Sequence, residues 1–227
     1  PLPRLAPLGL RGLIACAPPA PPAGAGADGG ATGAATLRGE AWADNWFAMY
    51  AGDALVVEHS VPITTEKSFN AETFELEASY PLLLAFVLKD FEENESGLEY
   101  IGKPNQQMGD GGFSFQLTDT TPGKVGRVSD ESWRCHVIQK APLNPSCEKD
   151  PNPLQTCQHA SEPEPEGWKA PGFDDAGWEK ATVFTAAQVG PKDGYFGISW
   201  SPQAKLIWTS DLKADNTLLC RARVTAP

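Results

Sequence analysis

Two apolar runs flank a short turn in residues 46–57, which read WFAMYAGDALVV. The runs 46–50 and 54–57 are rich in aromatic and β-branched residues, and Ala51-Gly52-Asp53 between them has the composition of a hairpin turn. To either side, similar short runs recur at intervals of about 8–12 residues, separated by clusters of Gly, Asp, Asn and Pro. This spacing predicts an all-β protein.

Further segments fit the same pattern. Residues 68–78 and 111–117 alternate apolar and polar side chains, as expected of strands with one buried face. The continuous apolar run 81–88 predicts a central strand that is covered on both faces. Helical spacing is restricted to 175–181, so we expect little helix. Two more segments have strand composition, 206–208 and 218–224.

The N-terminal part of the chain has a different composition. Residues 1–36 consist almost wholly of Pro, Ala, Gly and Leu, without a helical or strand period. We interpret them as a disordered or extended arm, or as the remnant of a leader. Residues 37–227 are predicted to form a single domain, with a Cys- and Pro-rich insert at about 140–169.

The charge of the chain excludes several classes of partner. Its 227 residues include 18 Lys and Arg against 29 Asp and Glu, a formal net charge of −11. Nucleic acids and anionic lipids need clustered cationic side chains, so neither is expected as a partner. The longest apolar run, 80–88, has about half of the roughly 20 residues that a membrane-spanning helix requires, so no membrane span is predicted. The acidity instead favours solubility and cation binding.

The cysteines indicate an oxidising compartment. Four of the five lie in the predicted domain, and their spacing matches no zinc site. Two disulfides are therefore expected, in a secreted protein or an organelle lumen. Four cysteines allow three pairings, of which we favour Cys147–Cys157, closing the insert, and Cys135–Cys220. Asn94-Glu95-Ser96 is an acceptor for N-glycosylation at Asn94, which agrees with secretion.

Two series of residues carry a family resemblance. The first is 43–52, ADNWFAMYAG, and the second runs through Gly167-Trp168, 173–178 (FDDAGW), Ile207-Trp208 and Arg221. Taken in this order, they resemble the galactose-binding-like modules appended to extracellular glycoside hydrolases such as rhamnosidases. The resemblance implies a jelly-roll β-sandwich. In 173–178, Asp174 and Asp175 are expected to accept backbone N–H bonds at a turn, with Phe173 and Trp178 directed into the core.

A cation site is the first candidate for function. Asp44-Asn45 resembles the acidic pair with which flocculin-type lectin modules bind calcium, and oxygen ligands suit that ion. Asp90 and Asp110 are loop residues that would complete the site if the fold brings them together. Ca²⁺ is therefore the candidate cofactor. In the alternative interpretation, Asp44 and Asn45 only cap a turn at the edge of a sheet.

A sugar site needs an exposed aromatic side chain beside polar groups. Trp46, next to Asp44-Asn45, and Tyr195 and Trp200, in the loop 194–200, are the candidate ligand-binding residues. The other pattern-position tryptophans are predicted to be core residues: Trp42, Trp133, Trp168, Trp178 and Trp208.

The sequence contains no G-x-S-x-G, no H-E-x-x-H and no phosphate-binding glycine loop, so we do not expect an enzyme. A non-catalytic glycan-binding module, assisted by calcium, is the leading hypothesis. The alternative is a structural or assembly subunit that uses the sandwich and the N-terminal arm as an interaction surface for another protein chain.

Overall fold

Strands make up most of the regular structure. The computed structural model describes residues 34–121 and 123–226. Its fifteen strands are β1 (Ala35–Asp44), β2 (Trp46–Ala51), β3 (Ala54–Glu58), β4 (Ala71–Ala78), β5 (Leu82–Lys89), β6 (Leu98–Glu99), β7 (Gln107–Met108), β8 (Gly112–Asp119), β9 (Lys124–Val128), β10 (Arg134–Lys140), β11 (Ala160–Ser161), β12 (Glu179–Lys180), β13 (Thr182–Phe184), β14 (Leu206–Trp208) and β15 (Asp215–Val224). The helices are α1 (Pro153–Thr156), α2 (Ala186–Val189) and two 3₁₀ turns, Pro145–Lys149 and Tyr195–Gly197.

The strands form two large antiparallel sheets. The first has the order β13-β14-β8-β1-β4, with β9 added beside β8. The second has the order β11-β10-β15-β5-β2-β3, with β12 added beside β10. A separate two-stranded ribbon pairs β6 with β7. The predicted hairpin is β2 and β3, and the apolar run 81–88 supplies β5, which lies between β15 and β2.

The core lies between the two sheets. Alternate residues of each strand face it: Leu84, Phe86 and Leu88 on β5 are fully or nearly fully buried, and so are Phe113 and Phe115 on β8. The rings of Phe86 and Phe113 have centroids 5.1 Å apart, which joins the two sheets through aromatic contacts. The fold is therefore an all-β sandwich, as the sequence predicts.

The outer faces of the sheets carry smaller clusters. The five tryptophans predicted to be core residues are all buried, between 0% and 8% exposed. Trp133 and Trp208 lie between the sheets, whereas Trp42 lies in a cluster on the outer face of the first sheet. Trp168 and Trp178 belong to a cluster with Ala85 and Val87, on the outer face of the second.

One disulfide crosslinks two strands of the second sheet, and another closes a loop within the insert. Cys135 and Cys220 face each other on the paired strands β10 and β15, and Cys147 is bonded to Cys157 within the insert. These are the pairings that the sequence analysis favours, and they fit an oxidising compartment. Separately, no helix among the described residues is long and apolar enough to cross a membrane.

Two local features differ from the predictions. The helical spacing at 175–181 was misleading, because the segment is a turn followed by β12, with the Trp178 N–H donating to the Asp175 carbonyl. The short helices lie elsewhere, at 153–156 and 186–189. Of the predicted arm, residues 1–33 lie outside the described residues, and β1 begins within the remainder at Ala35.

Candidate cation site and adjoining groove

Three aspartates from distant parts of the chain meet at one end of the sandwich. Asp44 is the last residue of β1, Asp90 follows β5, and Asp110 precedes β8. The antiparallel register sets Asp44 opposite Gly112, which brings the start of β8 to the end of β1. The end of β5 is held beside them because the Asn45 N–H donates to the Lys89 carbonyl at 2.8 Å. One carboxylate oxygen from each aspartate lies within 4.8 Å of the other two.

The carboxylates of Asp44 and Asp90 are buried, and several oxygens of the cluster lack hydrogen-bond partners within the described residues. Asp44 is 0% exposed and Asp90 is 3% exposed. Within the described chain, neither oxygen of either residue accepts a hydrogen bond, and the same holds for Asp110 Oδ1 and Glu99 Oε1. Buried polar groups are nearly always paired, and an unpaired buried charge is costly. This concentration of buried acceptors therefore calls for a cation or for protons.

The backbone of Gly109 closes one side of the cluster. A Cβ atom built on Gly109 would lie 1.8 Å from Asp90 Oδ2 and 2.9 Å from its Cγ. Both distances are far below van der Waals contact, so the carboxylate of Asp90 fills the space that a side chain would need. Glycine at this position permits the close approach of the 109–110 backbone to Asp90.

Lys192 brings one positive charge to the cluster. Its Nζ lies 3.5 Å from Asp110 Oδ2 and 3.8 Å from Asp44 Oδ2, and it also lies over the ring of Phe69 at 5.3 Å. The Lys192 side chain is 41% exposed. Burial alone would lower the pKa of Lys192, but the charges of Asp44, Asp110 and Glu99 raise it above its ordinary value.

The pKa values of the buried aspartates reflect the same geometry. Burial raises the pKa of Asp44 well above its ordinary range, the charge of Asp110 raises it further, and Lys192 opposes the shift. For Asp90, burial is again the main cause of a strongly raised pKa, followed by the charges of Asp44 and Asp110. The single ammonium group of Lys192 therefore does not neutralise the negative charge of the cluster.

Glu99 adds a fourth carboxylate to this end of the sandwich. It is 2% exposed, and its Oε2 accepts a hydrogen bond from Gln107 Nε2 at 3.0 Å. Burial, followed by the charge of Asp110, raises the pKa of Glu99 from 4.5 to about 7.

Stability should therefore fall as the pH rises. Between about pH 4.5 and 7, Glu99 loses its proton in the unfolded chain but keeps it in the folded one, so the stabilising effect of its raised pKa is lost through this window. In the presence of a chelator, we expect the free energy of unfolding in urea to drop more between pH 4.5 and 8 in the wild type than in Glu99→Gln. Equal drops in the two proteins would contradict the prediction.

Asn45, which was predicted as a ligand, has another role. Its Oδ1 accepts the Phe91 N–H at 2.6 Å, and its Nδ2 donates to the Glu66 carbonyl at 3.2 Å. The amide is thus engaged at both ends by backbone groups. Asn45 therefore anchors the segment after Asp90, and the converging carboxylates are those of Asp44, Asp90 and Asp110.

A groove of about 340 Å³ lies on the outer face of the second sheet, and two of its lining residues, Trp46 and Lys89, lie close in the chain to Asp44 and Asp90. Val87, Ile138 and Thr217 lie along it, with Trp46 and Tyr50 also contributing to its lining. The groove is further lined by Lys89, Gln139, Ser161, Glu162 and Glu164. Trp46 and Lys89 are paired across β2 and β5, with the ammonium 5.3 Å from the indole ring.

The three predicted ligand-binding residues do not come together. Trp46 lies on the outer face of the second sheet, in the groove. Tyr195 and Trp200 pack together against Trp42 on the outer face of the first sheet, with the Tyr195 and Trp200 rings 5.4 Å apart. Because side chains alternate along a strand, each of the two sheets has an outer face. The sequence does not show which of these two outer faces an aromatic residue occupies. Next to Tyr195, Phe196 is 78% exposed.

Asn94, the predicted glycosylation residue, lies in the loop between β5 and β6. Its Oδ1 accepts the Ser96 N–H at 2.9 Å, and the side chain is partly exposed. Asn94 lines a separate hollow of about 240 Å³ with Leu154 and His159.

Sequence reasoning missed two members of the cluster. Glu99 sits in a two-residue strand inside a polar segment, and Lys192 lies in a loop far along the chain from Asp44. Neither has a spacing signal that relates it to the aspartates, because contacts between distant parts of the chain bring them together.

Comparison of the chain with protein-family models, curated proteins and solved structures gives no match. The resemblance to galactose-binding-like modules therefore stays a prediction.

Proposed function

We propose that this chain is a non-catalytic glycan-binding module whose binding is assisted by a calcium ion bound to Asp44, Asp90 and Asp110. The observation that carries the proposal is the set of buried carboxylate oxygens that lack a hydrogen-bond partner within the described residues. A bound divalent cation would satisfy them and offset the cost of their burial. The jelly-roll, galactose-binding-like topology belongs to the same proposal.

The donor atoms favour calcium. All the ligands on offer are carboxylate oxygens, which suit hard cations. Calcium binds oxygen at about 2.3–2.6 Å, so two oxygens on opposite sides of one ion are about 5 Å apart. The three aspartate oxygens, within 4.8 Å of one another, therefore fit around a single calcium ion. Glu99, whose Oε1 has no hydrogen-bond partner in the described chain, adds negative charge nearby.

The groove supports glycan as the ligand class. Sugar rings pack their C–H faces on aromatic side chains and exchange hydrogen bonds with a few charged or hydroxyl groups. Trp46 and Tyr50 supply aromatic surface, and Lys89, Glu164 and Thr217 supply donors and acceptors along the same groove.

Calcium would act on the groove through the strand ends. Trp46 is two residues from Asp44, and Lys89 directly precedes Asp90. An ion held by both aspartates would fix the ends of β1 and β5, and with them the Trp46 and Lys89 pair at the end of the groove. Restricting these side chains before the ligand binds lowers the entropy cost of binding.

The experiment is a glycan array probed with the full chain, with calcium and with a chelator. We expect binding to a subset of oligosaccharides, weakened at least tenfold by the chelator and by Trp46→Ala, since both disturb the groove. Phe196→Ala is the matched control, because it removes an exposed aromatic ring from the opposite outer face of the sandwich.

Three results would contradict this proposal in different ways. Flat arrays in both conditions would remove glycan binding. Equal binding with and without chelator would remove the role of calcium. Loss of binding in Phe196→Ala, but not in Trp46→Ala, would assign the ligand to the Tyr195 and Trp200 face.

A second function, binding of another protein, is favoured by the exposed ring of Phe196. A phenylalanine that is 78% exposed, beside Tyr195 and Trp200, is the kind of apolar surface that protein interfaces use. The arm that the sequence analysis assigned to this role lies outside the described residues, apart from 34–36.

A further inference from the structure

We infer that Lys192 is a tethered counter-ion that a divalent cation must displace, and that it thereby sets the cation concentration at which the site fills. This inference rests on the proposed calcium site and concerns its regulation. Lys192 Nζ lies 3.5 Å from Asp110 Oδ2 and 3.8 Å from Asp44 Oδ2, so the ammonium and a divalent ion compete for the same two carboxylates.

Charge makes the competition direct. An ion in contact with Asp44, Asp90 and Asp110 would lie within a few ångströms of an ammonium in this position, and the two positive charges repel each other. The Lys192 side chain is 41% exposed, so solvent screens part of this repulsion and gives the ammonium a route out of the cluster. The lysine has four flexible methylene groups with which to make that movement.

The backbone that carries Lys192 is held in place. The Asp193 carbonyl accepts a hydrogen bond from Trp42 Nε1 at 3.0 Å, and Trp42 is fully buried. Gly194 approaches Ala71 so closely that a Cβ on the glycine would lie 2.4 Å from the Ala71 nitrogen. Displacement of the ammonium therefore requires only a rotation of the Lys192 side chain.

A monovalent ion competes less well than a divalent ion with the Lys192 ammonium for these carboxylates. Lys192 already supplies a single positive charge without the entropy cost of capturing a free ion, because it is attached to the chain. A divalent ion gains twice the Coulomb attraction to the same carboxylates. Lys192 therefore acts as a specificity-determining residue that favours divalent over monovalent cations.

The test is isothermal titration of CaCl₂ into the full chain, comparing wild type with Lys192→Met and, as a second variant, Lys192→Gln. We expect both variants to bind calcium at least tenfold more tightly than the wild type. Lys124→Met is the matched control, because Lys124 is an exposed lysine opposite Asp119, at the far end of β8 from Asp110. It removes the same charge from the chain and should leave the affinity unchanged. Asp90→Asn reports whether the heat arises from this site.

The outcomes separate the two proposals. Equal or weaker calcium binding in both Lys192 variants, alongside binding by the wild type that Asp90→Asn removes, would overturn the inference and keep the calcium site. Absence of calcium binding in the wild type and in both variants would overturn the calcium site itself. Tighter binding in the variants supports the inference even if no glycan binds. Repeating the titration in 300 mM KCl should weaken the variants more than the wild type, and the reverse would count against the inference.

Discussion

Asp175→Asn is expected to lower the free energy of unfolding by about 3–5 kcal/mol, because it leaves the guanidinium of Arg221 buried without a counter-charge. Arg221 is 1% exposed and pairs with the Asp175 carboxylate, which also lies 3.3 Å from Arg223. Burial lowers the pKa of Arg221, while the charge of Asp175 opposes the shift. Urea denaturation at pH 7 measures the loss, which corresponds to a fall of roughly 10 °C in Tm.

The remaining contacts of Arg221 explain why the loss should not be total. Its guanidinium also donates to the Ala170 carbonyl at 2.7 Å and to the Phe173 carbonyl at 3.1 Å, and it lies over the Phe173 ring at 5.1 Å. These contacts satisfy N–H groups but do not offset the charge. Arg221 thus holds the 170–175 segment against the outer face of the second sheet.

Two variants control this prediction. Asp174→Asn changes the neighbouring exposed carboxylate, whose only described contact is with the Ala176 N–H, and an asparagine can make the same turn bond. We expect it to change the stability by less than about 0.5 kcal/mol. Combining Asp175→Asn with Arg221→Met removes both charges and should recover much of the stability. A loss below about 1 kcal/mol in Asp175→Asn would mean that the pair contributes little.

The strands were predictable because their signals are local. The hairpin 46–57 and the apolar run 81–88 carry composition and alternation that a chain segment shows by itself. The helical spacing at 175–181 failed for the opposite reason. The second half of that segment, β12, pairs with the distant strand β10, and the Ala181 N–H donates to the Trp133 carbonyl. These contacts with a distant part of the chain override the local helical spacing.

The acidic cluster was predictable only in part. Asp44 is a candidate because Asp44-Asn45 resembles the calcium-binding pair of lectin modules, and Asp90 and Asp110 are candidates as loop residues beside predicted strands. Their convergence depends on which strand ends share one end of the sandwich, which is a property of sheet order. Glu99, in the two-residue strand β6, and Lys192, in a loop held by the hydrogen bond between Trp42 and Asp193, enter the cluster through tertiary contacts that have no local signal. The separation of Trp46 from Tyr195 and Trp200 has the same origin, since the two outer faces look alike in sequence.

Gly109→Ala is expected to weaken calcium binding at least 100-fold, equivalent to about 2.8 kcal/mol at 1.4 kcal/mol for each factor of ten. The new Cβ would lie 1.8 Å from Asp90 Oδ2, so either the carboxylate or the 109–110 backbone must move. Asp90 is 3% exposed and has little room to rotate. Movement of the backbone would displace Asp110, which directly follows Gly109. Either response separates the oxygens that the proposed ion must contact together.

The control for this prediction is Gly177→Ala, since no atom of the described residues lies within 4 Å of the position that its Cβ would take. It should bind calcium like the wild type. Near-ultraviolet circular dichroism reports on the buried tryptophans, so an unchanged spectrum with lost calcium binding would locate the damage at the site. Wild-type calcium affinity in Gly109→Ala would contradict the requirement for Asp90, because the alanine and the present position of its carboxylate exclude each other. Since Asp90→Asn removes the charge while keeping the shape, parallel losses in the two variants would identify Asp90 as a ligand and Gly109 as the residue that gives it space.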